Sequence, residues 1–137
     1  MAAVTITVTP LVGRNGSPHF WQTDDGTRYA AVKLSIAAGQ TYTTADKCVL
    51  VHSAGSDFFS HFGEIVVKQV LAENFACNNV SFGAFKLYWD FSAQTGRLRK
   101  IGNGGSTAPT GPADEANVAN ATALGAGTMS ANALIFW

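Results

Sequence analysis

The stretch Val4-Thr5-Ile6-Thr7-Val8-Thr9-Pro10 decides the fold. Aliphatic and hydroxyl side chains alternate along it, and successive side chains of an extended chain point to opposite faces. Valine, isoleucine and threonine are all β-branched, which restricts χ1 and favours a pleated backbone over a helix. The segment therefore reads as a strand with Val4, Ile6 and Val8 on one face and the threonines on the other. Pro10 has no backbone donor and belongs at an edge or a strand end.

Working outward, Arg28-Tyr29-Ala30-Ala31-Val32-Lys33-Leu34-Ser35-Ile36 repeats the pattern, with Ala30, Val32, Leu34 and Ile36 on one face. Ala38-Gly39 breaks it. Turns are expected at residues 13–18, around Asn15-Gly16, and at Asp24-Asp25-Gly26, with the short apolar piece His19-Phe20-Trp21 between them. Residues 47–52 (KCVLVH) read as a short strand apolar enough for burial on both faces. Residues 56–62 (SDFFSHF) fit either one helical turn or an irregular loop. Residues 64–71 (EIVVKQVL) fit a strand better than a helix, because Ile65, Val66, Val67 and Val70 are β-branched. In residues 80–90 (VSFGAFKLYWD), Phe85, Leu87 and Trp89 share a face opposite Lys86 and Tyr88. A turn holding Thr95-Gly96 then returns the chain into Arg97-Leu98-Arg99-Lys100-Ile101, a hairpin signal. Residues 132–137 (NALIFW) form the last strand. Seven or eight short strands with turns between them predict an all-β protein, with a β-sandwich or barrel-like body. This pattern leaves the strand order open.

Between residues 102 and 128 the composition changes to Gly, Ala, Ser, Thr, Asn and Pro, with Asp114 and Glu115 the only charges. Val118 and Leu124 are its only aliphatics larger than alanine. Connections usually take about 4–6 residues, so this one is long enough to be a functional arm. Leu134, Ile135, Phe136 and Trp137 follow it, and leaving each large apolar side chain in water costs roughly 1.5–3 kcal/mol. The chain is thus expected to be one β domain over residues 1–137, with 102–128 as a long Gly/Ala-rich loop or arm that returns to a C-terminal strand. Deleting part of 102–128 is expected to spare the body and abolish partner binding.

The 137 residues are 47% hydrophobic and only 13% charged, with nine Lys+Arg against nine Asp+Glu. Charged residues make up about 25% of typical soluble domains. This apolar content excludes disorder over most of the chain. Zero net charge argues against a nucleic-acid binder that works by bulk positive charge. No apolar run approaches the ~20 residues of a membrane span. The N-terminus lacks the basic and apolar regions of a secretory signal, so a soluble compartment without a membrane is expected. The sequons at Asn15, Asn79 and Asn120 then count as chance. Cys48 and Cys77 have no metal-ligand spacing and are expected as buried free thiols. So few charges give little repulsion between molecules, which fits a protein that spends its life against a partner.

Catalytic signals are lacking. His19, His52 and His61 have no H-E-x-x-H register, and the set His52, Ser53 and Asp57 has no G-x-S-x-G elbow around it. Asp24-Asp25-Gly26 resembles half of a calcium loop, but the twelfth position from Asp24 is Ser35 where a glutamate is needed. A glycine-containing turn is the expected form. No enzyme activity, metal or cofactor is predicted. Arg97, Arg99 and Lys100 place three of nine basic residues within four positions, and alternation sends Arg97 and Arg99 to one face, away from Leu98. That face is either solvated or paired with carboxylates or phosphates. With Pro109, Pro112, Val118 and Leu124 of the long connection, these residues are the candidate partner contacts. Trp21, Tyr29, Tyr88, Trp89 and Trp137 serve equally as core, as interface anchors or as a sugar-binding surface.

The run Phe85-Lys86-Leu87-Tyr88-Trp89-Asp90, the hairpin Gln94-Thr95-Gly96-Arg97-Leu98-Arg99, the Gly/Ala/Thr-rich connection and the closing Ala133-Leu134-Ile135-Phe136-Trp137 resemble small virion structural proteins of tailed bacteriophages. Within that group the chain, from Phe85 onward, is most similar to capsid decoration (cement) proteins. The resemblance implies a β protein, commonly a homotrimer, made in the host cytoplasm. Such a protein sits on the capsid surface of the virion and clamps neighbouring subunits of the major capsid protein. It carries no site residues with it. The competing readings are a tail, neck or fibre component and a carbohydrate-binding β-sandwich module.

Overall fold

The computed structural model describes residues 3–11, 21–52, 66–76, 84–101, 115–117, 122–125 and 127–137. Along them run β1 (Val4–Pro10), β2 (Trp21–Gln22), β3 (Arg28–Ile36), β4 (Thr41–Tyr42), β5 (Cys48–His52) and β6 (Gln69–Ala72). There follow β7 (Phe75–Ala76), β8 (Ala84–Asp90), β9 (Thr95–Ile101), β10 (Glu115–Asn117), β11 (Thr122–Ala123) and β12 (Met129–Phe136). Among the described residues there is no helix, and so none long and apolar enough to cross a membrane.

One sheet runs in the order β6-β12-β3-β1-β5-β9-β8-β7, with β2 beside β3 and β10 beside β9. Its two end strands, β6 and β7, are separated in sequence only by Glu73 and Asn74. The sheet therefore bends round until its ends meet, β6 packs against β8, and the body is a nearly closed barrel. Neighbours along this path are antiparallel except β1 and β5, which run parallel with Val4 opposite Cys48 and Val8 opposite His52. A parallel pair requires a crossover, and the chain makes it by way of β3.

The alternation read from the sequence becomes the inside and outside of this barrel. Val4, Ile6 and Val8 of β1, alternate residues Ala30 to Ile36 of β3, and Met129, Ala131, Ala133 and Ile135 of β12 are all buried. Phe75, Phe85, Leu87 and Leu98 complete the core with them. Each large apolar side chain so placed contributes roughly 1.5–3 kcal/mol. Cys48 is a free, buried thiol, and desolvation pushes its pKa up to about 12. Tyr42 of β4 and Leu124, which follows β11, are buried in the same core, with β4 and β11 paired as a small second sheet. Burial likewise raises the Tyr42 phenol, with the Leu98 main chain working in the opposite direction.

Two glutamines finish the backbone pairing where strands run out. Beyond the Ile6–Ile36 pair, the Thr5 N–H donates to Gln40 Oε1 (2.7 Å) and Gln40 Nε2 donates to the Thr5 carbonyl (3.2 Å). At the β6–β8 seam the Val67 N–H donates to Gln94 Oε1 (3.0 Å), while Gln94 Nε2 donates to the Val67 carbonyl (2.9 Å). The Trp89 indole N–H reaches that carbonyl as well, at 3.0 Å. A primary amide presents the same donor and acceptor as a peptide unit, so each glutamine stands in for one residue of a missing strand.

Several expectations are corrected. The turn between β8 and β9 occupies residues 91–94, so Thr95 and Gly96 already belong to β9. Among the described side chains of β5, Cys48 is fully buried and Val51 is 40% exposed, so there the strand is covered on one face, not two. Within residues 64–71, strand pairing begins only at Gln69; residues 64 and 65 lie outside the described residues. The long connection returns to the body twice within its described part. β10 pairs with β9, and β11 pairs with β4 just before Leu124. The expected turn at residues 13–18, the segment 56–62, His19, His61 and Cys77 all lie outside the described residues. The Asp24-Asp25-Gly26 turn contains Gly26 at φ +87°, closed by Gly26 N–H donating to the Thr23 carbonyl at 3.0 Å.

Candidate functional site

Two outward surfaces carry the residues of interest. The first is the hairpin of β8 and β9. Its register sets Lys86 opposite Arg99 and Tyr88 opposite Arg97 on one face, with Leu87 opposite Leu98 on the core side. Arg97 is exposed and Arg99 half-buried, on the shared face expected from alternation. Lys100 falls on the other face, opposite Phe85. Lys86 Nζ lies 5.1 Å from the centroid of the Tyr88 ring and Arg97 Cζ lies 5.8 Å from it. Each such contact is worth about 0.5–1 kcal/mol at an exposed site.

Beside this ring is a cleft of about 490 Å³ lined by Lys47, Tyr88, Trp89, Asp90, Phe91, Ser92 and Arg97. Asp90 is its single carboxylate. One Asp90 oxygen accepts the Ser92 hydroxyl (2.8 Å), the Ser92 N–H (3.0 Å) and the Ala93 N–H (3.2 Å). These bonds, the Ser92 side chain foremost, hold its pKa below the usual carboxylate range. Lys47 enters from the chain before β5 with φ +57°, its N–H donating to the Thr43 carbonyl at 2.9 Å. Gln94, which ends the turn on the other side, has φ +54°. These two are the only non-glycine residues with left-handed backbone among the described residues.

The second surface is the outside of β3, β12 and β6, where three rows cross the strands in register. Tyr29, Phe136 and Gln69 form one row, and Ala31, Leu134 and Leu71 the next. Lys33 and Asn132 continue into a third, joined to Glu73 through its N–H donating to the Asn132 carbonyl at 2.9 Å. β2 extends the first row by setting Trp21 opposite Tyr29. The rings of Trp21, Tyr29 and Phe136 stack with centroids 5.4 and 5.5 Å apart and planes within 27°. Leu71 (54% exposed), Trp21 (49%), Leu11 (41%) and Leu134 (37%) leave this surface apolar and uncovered. A shallow groove of about 300 Å³ runs between Leu11, Ala31, Leu71 and Leu134.

Of the other candidate contacts, Leu124 is buried in the core of its own chain, whereas Pro109, Pro112 and Val118 lie outside the described residues. The structure thus separates Leu124 from the basic strand it was grouped with. It brings Lys86 of β8 and Lys47, just before β5, beside that strand, and it assembles an aromatic row that no local pattern announces. Among the described residues no three His, Cys, Asp or Glu side chains converge. No known protein family, curated protein or solved structure matches the chain.

Proposed function

We propose that this chain is a non-catalytic structural protein of a virus particle, which binds the outer capsid shell and holds neighbouring major capsid subunits together. The observation that carries the docking part is the uncovered apolar surface of Leu11, Trp21, Leu71 and Leu134 on a chain with only 13% charged residues. Scattered exposed apolar residues are ordinary, but a contiguous row in register marks an interaction surface. Lys33 and Glu73 stand only at one border of it, so the complementary surface on the capsid protein is apolar at its centre and polar at that side. The resemblance to cement proteins supplies the identity of the partner, and repetition on a capsid lattice would turn modest contacts into lasting ones. A homotrimer on the shell suits this role.

The stacked rings bear on the alternative of sugar binding. A sugar platform offers ring faces to solvent, whereas Tyr29 has Trp21 on one side and Phe136 on the other. Tyr29 is therefore no sugar platform, and quenching of Trp fluorescence by saccharides would favour the alternative.

The test mixes the purified chain with capsids that lack it and follows cosedimentation. Wild-type chain is expected to pellet with capsids and raise their melting temperature. Leu71→Asp with Leu134→Asp, which places charges on solvent-facing positions, should keep the β-sheet circular dichroism and lose binding. Equal binding by the double variant, or no binding by the wild type, would overturn the proposal.

A further inference from the structure

The cleft beside Tyr88 shares no lining residue with the groove of the apolar surface. Among the described lining residues its cations outnumber its anions. Lys47 and Arg97 line it and Lys86 lies over the Tyr88 ring, with Asp90, whose charged form Lys47 favours, as the one carboxylate in the lining. Asp90 lies in the cleft but has one oxygen committed to its own turn by three hydrogen bonds. Like charges brought together around one ring repel, and an incoming anion relieves that repulsion. The site is also built with unusual backbone: Lys47 and Gln94, the two left-handed non-glycine residues, belong to the segments on either side of it. Such conformations persist where the surrounding structure over-determines them, and they gather at binding sites.

We infer that this cleft takes an extended acidic segment of a protein partner, its carboxylates seated on Arg97 and Lys47. Along a strand, every second side chain lies on one face about 6.5–7 Å apart, the spacing of alternate side chains in an extended ligand. Tyr88 opposite Arg97 and Lys86 opposite Arg99 give one wall of the cleft that register, while Lys47 meets it from the chain before β5. The apolar walls, Trp89 and the 55% exposed Phe91, suit the stems and neighbours of acidic side chains. An acidic sugar fits less well, because the Tyr88 ring already carries two cations and the Trp89 indole N–H is engaged with Val67.

This inference extends the docking reading by naming a partner chemistry, and the two can fail separately, because particle binding is scored by sedimentation and the cleft by titration. The experiment follows amide resonances of the isotope-labelled full chain during titration with acetylated, amidated tetraglutamate. Saturable shifts are expected at Lys47, Ser92 and Arg97, with none from tetraglutamine. Arg97→Gln and Lys47→Gln should each weaken binding by up to about fivefold, the upper end for an exposed ion pair. Tyr88→Leu, which keeps the charges, should weaken it less. Absence of saturable shifts, equal binding by both charge variants, or stronger binding by tetragalacturonate or inorganic phosphate would overturn the inference.

Discussion

Gly96 is held at its position by packing alone. Its backbone is opposite Trp89 on one side and Cys48 on the other, and a Cβ there would lie 2.5 Å from Leu87 Cδ1. Leu87 is itself buried, so it has little room to withdraw. Gly96→Ala is expected to lose about 1–3 kcal/mol, the usual cost of overpacking, seen as a lower urea midpoint. Pairing it with Leu87→Ala should cost less than the sum of the two single losses. Asp25 makes a different kind of prediction. Its carboxylate accepts the Thr23 hydroxyl and, at 3.0 Å, the Thr27 N–H, while Lys68 nearby adds positive charge. These hold its pKa at about 2, below the ordinary 3.8. A carboxylate depressed in the folded state adds stability above its unfolded pKa and loses it as pH falls through the folded one. Asp25→Asn should therefore flatten the fall in melting temperature between about pH 4 and pH 2, with little change in slope elsewhere.

Among the elements, the β6–β8 seam depends on one side chain. Gln94→Ala would leave the buried Val67 without its N–H acceptor and with only Trp89 at its carbonyl. A loss of about 1–3 kcal/mol is expected, with faster hydrogen exchange at the Val67 amide. Gln94→Glu keeps the acceptor but not the donor, and should lie between wild type and alanine. This seam was not legible in the sequence, because a glutamine in a turn looks like any polar loop residue until the strand it replaces is known. The strand faces were legible: alternation in β1, β3 and β8 reports directly on one-sided burial, a local property. Pairing was not, since the parallel β1–β5 contact and the insertion of β12 between β3 and β6 join residues far apart in sequence. The same distinction runs through the candidate sites. Arg97 and Arg99 share a strand and were found by counting. Lys47 reaches the cleft from another strand's approach, and the row of Trp21, Tyr29 and Phe136 needs a three-strand register. Thr95-Gly96 misled because glycine marks turns more often than close packing.

For the molecule as a whole, the long Gly/Ala-rich connection is partly body. Leu124 is fully buried with Tyr42, and its N–H donates to the Gln40 carbonyl at 3.0 Å. Leu124→Ala is expected to cost about 2–5 kcal/mol in equilibrium unfolding, whereas a side chain on a projecting arm would cost close to none. Binding deletions are better confined to residues 102–114, leaving β10 and β11 in place. The position of β12 has a further consequence, for biosynthesis. It is made after the two strands it lies between, so the barrel cannot close until it has been synthesised. Translation at roughly 5–20 residues per second puts β12 some 5–20 seconds behind β3. Through that interval the nascent chain carries an unsatisfied strand edge and a core without Met129, Ala131, Ala133 and Ile135, open to chaperones and to other nascent chains alike.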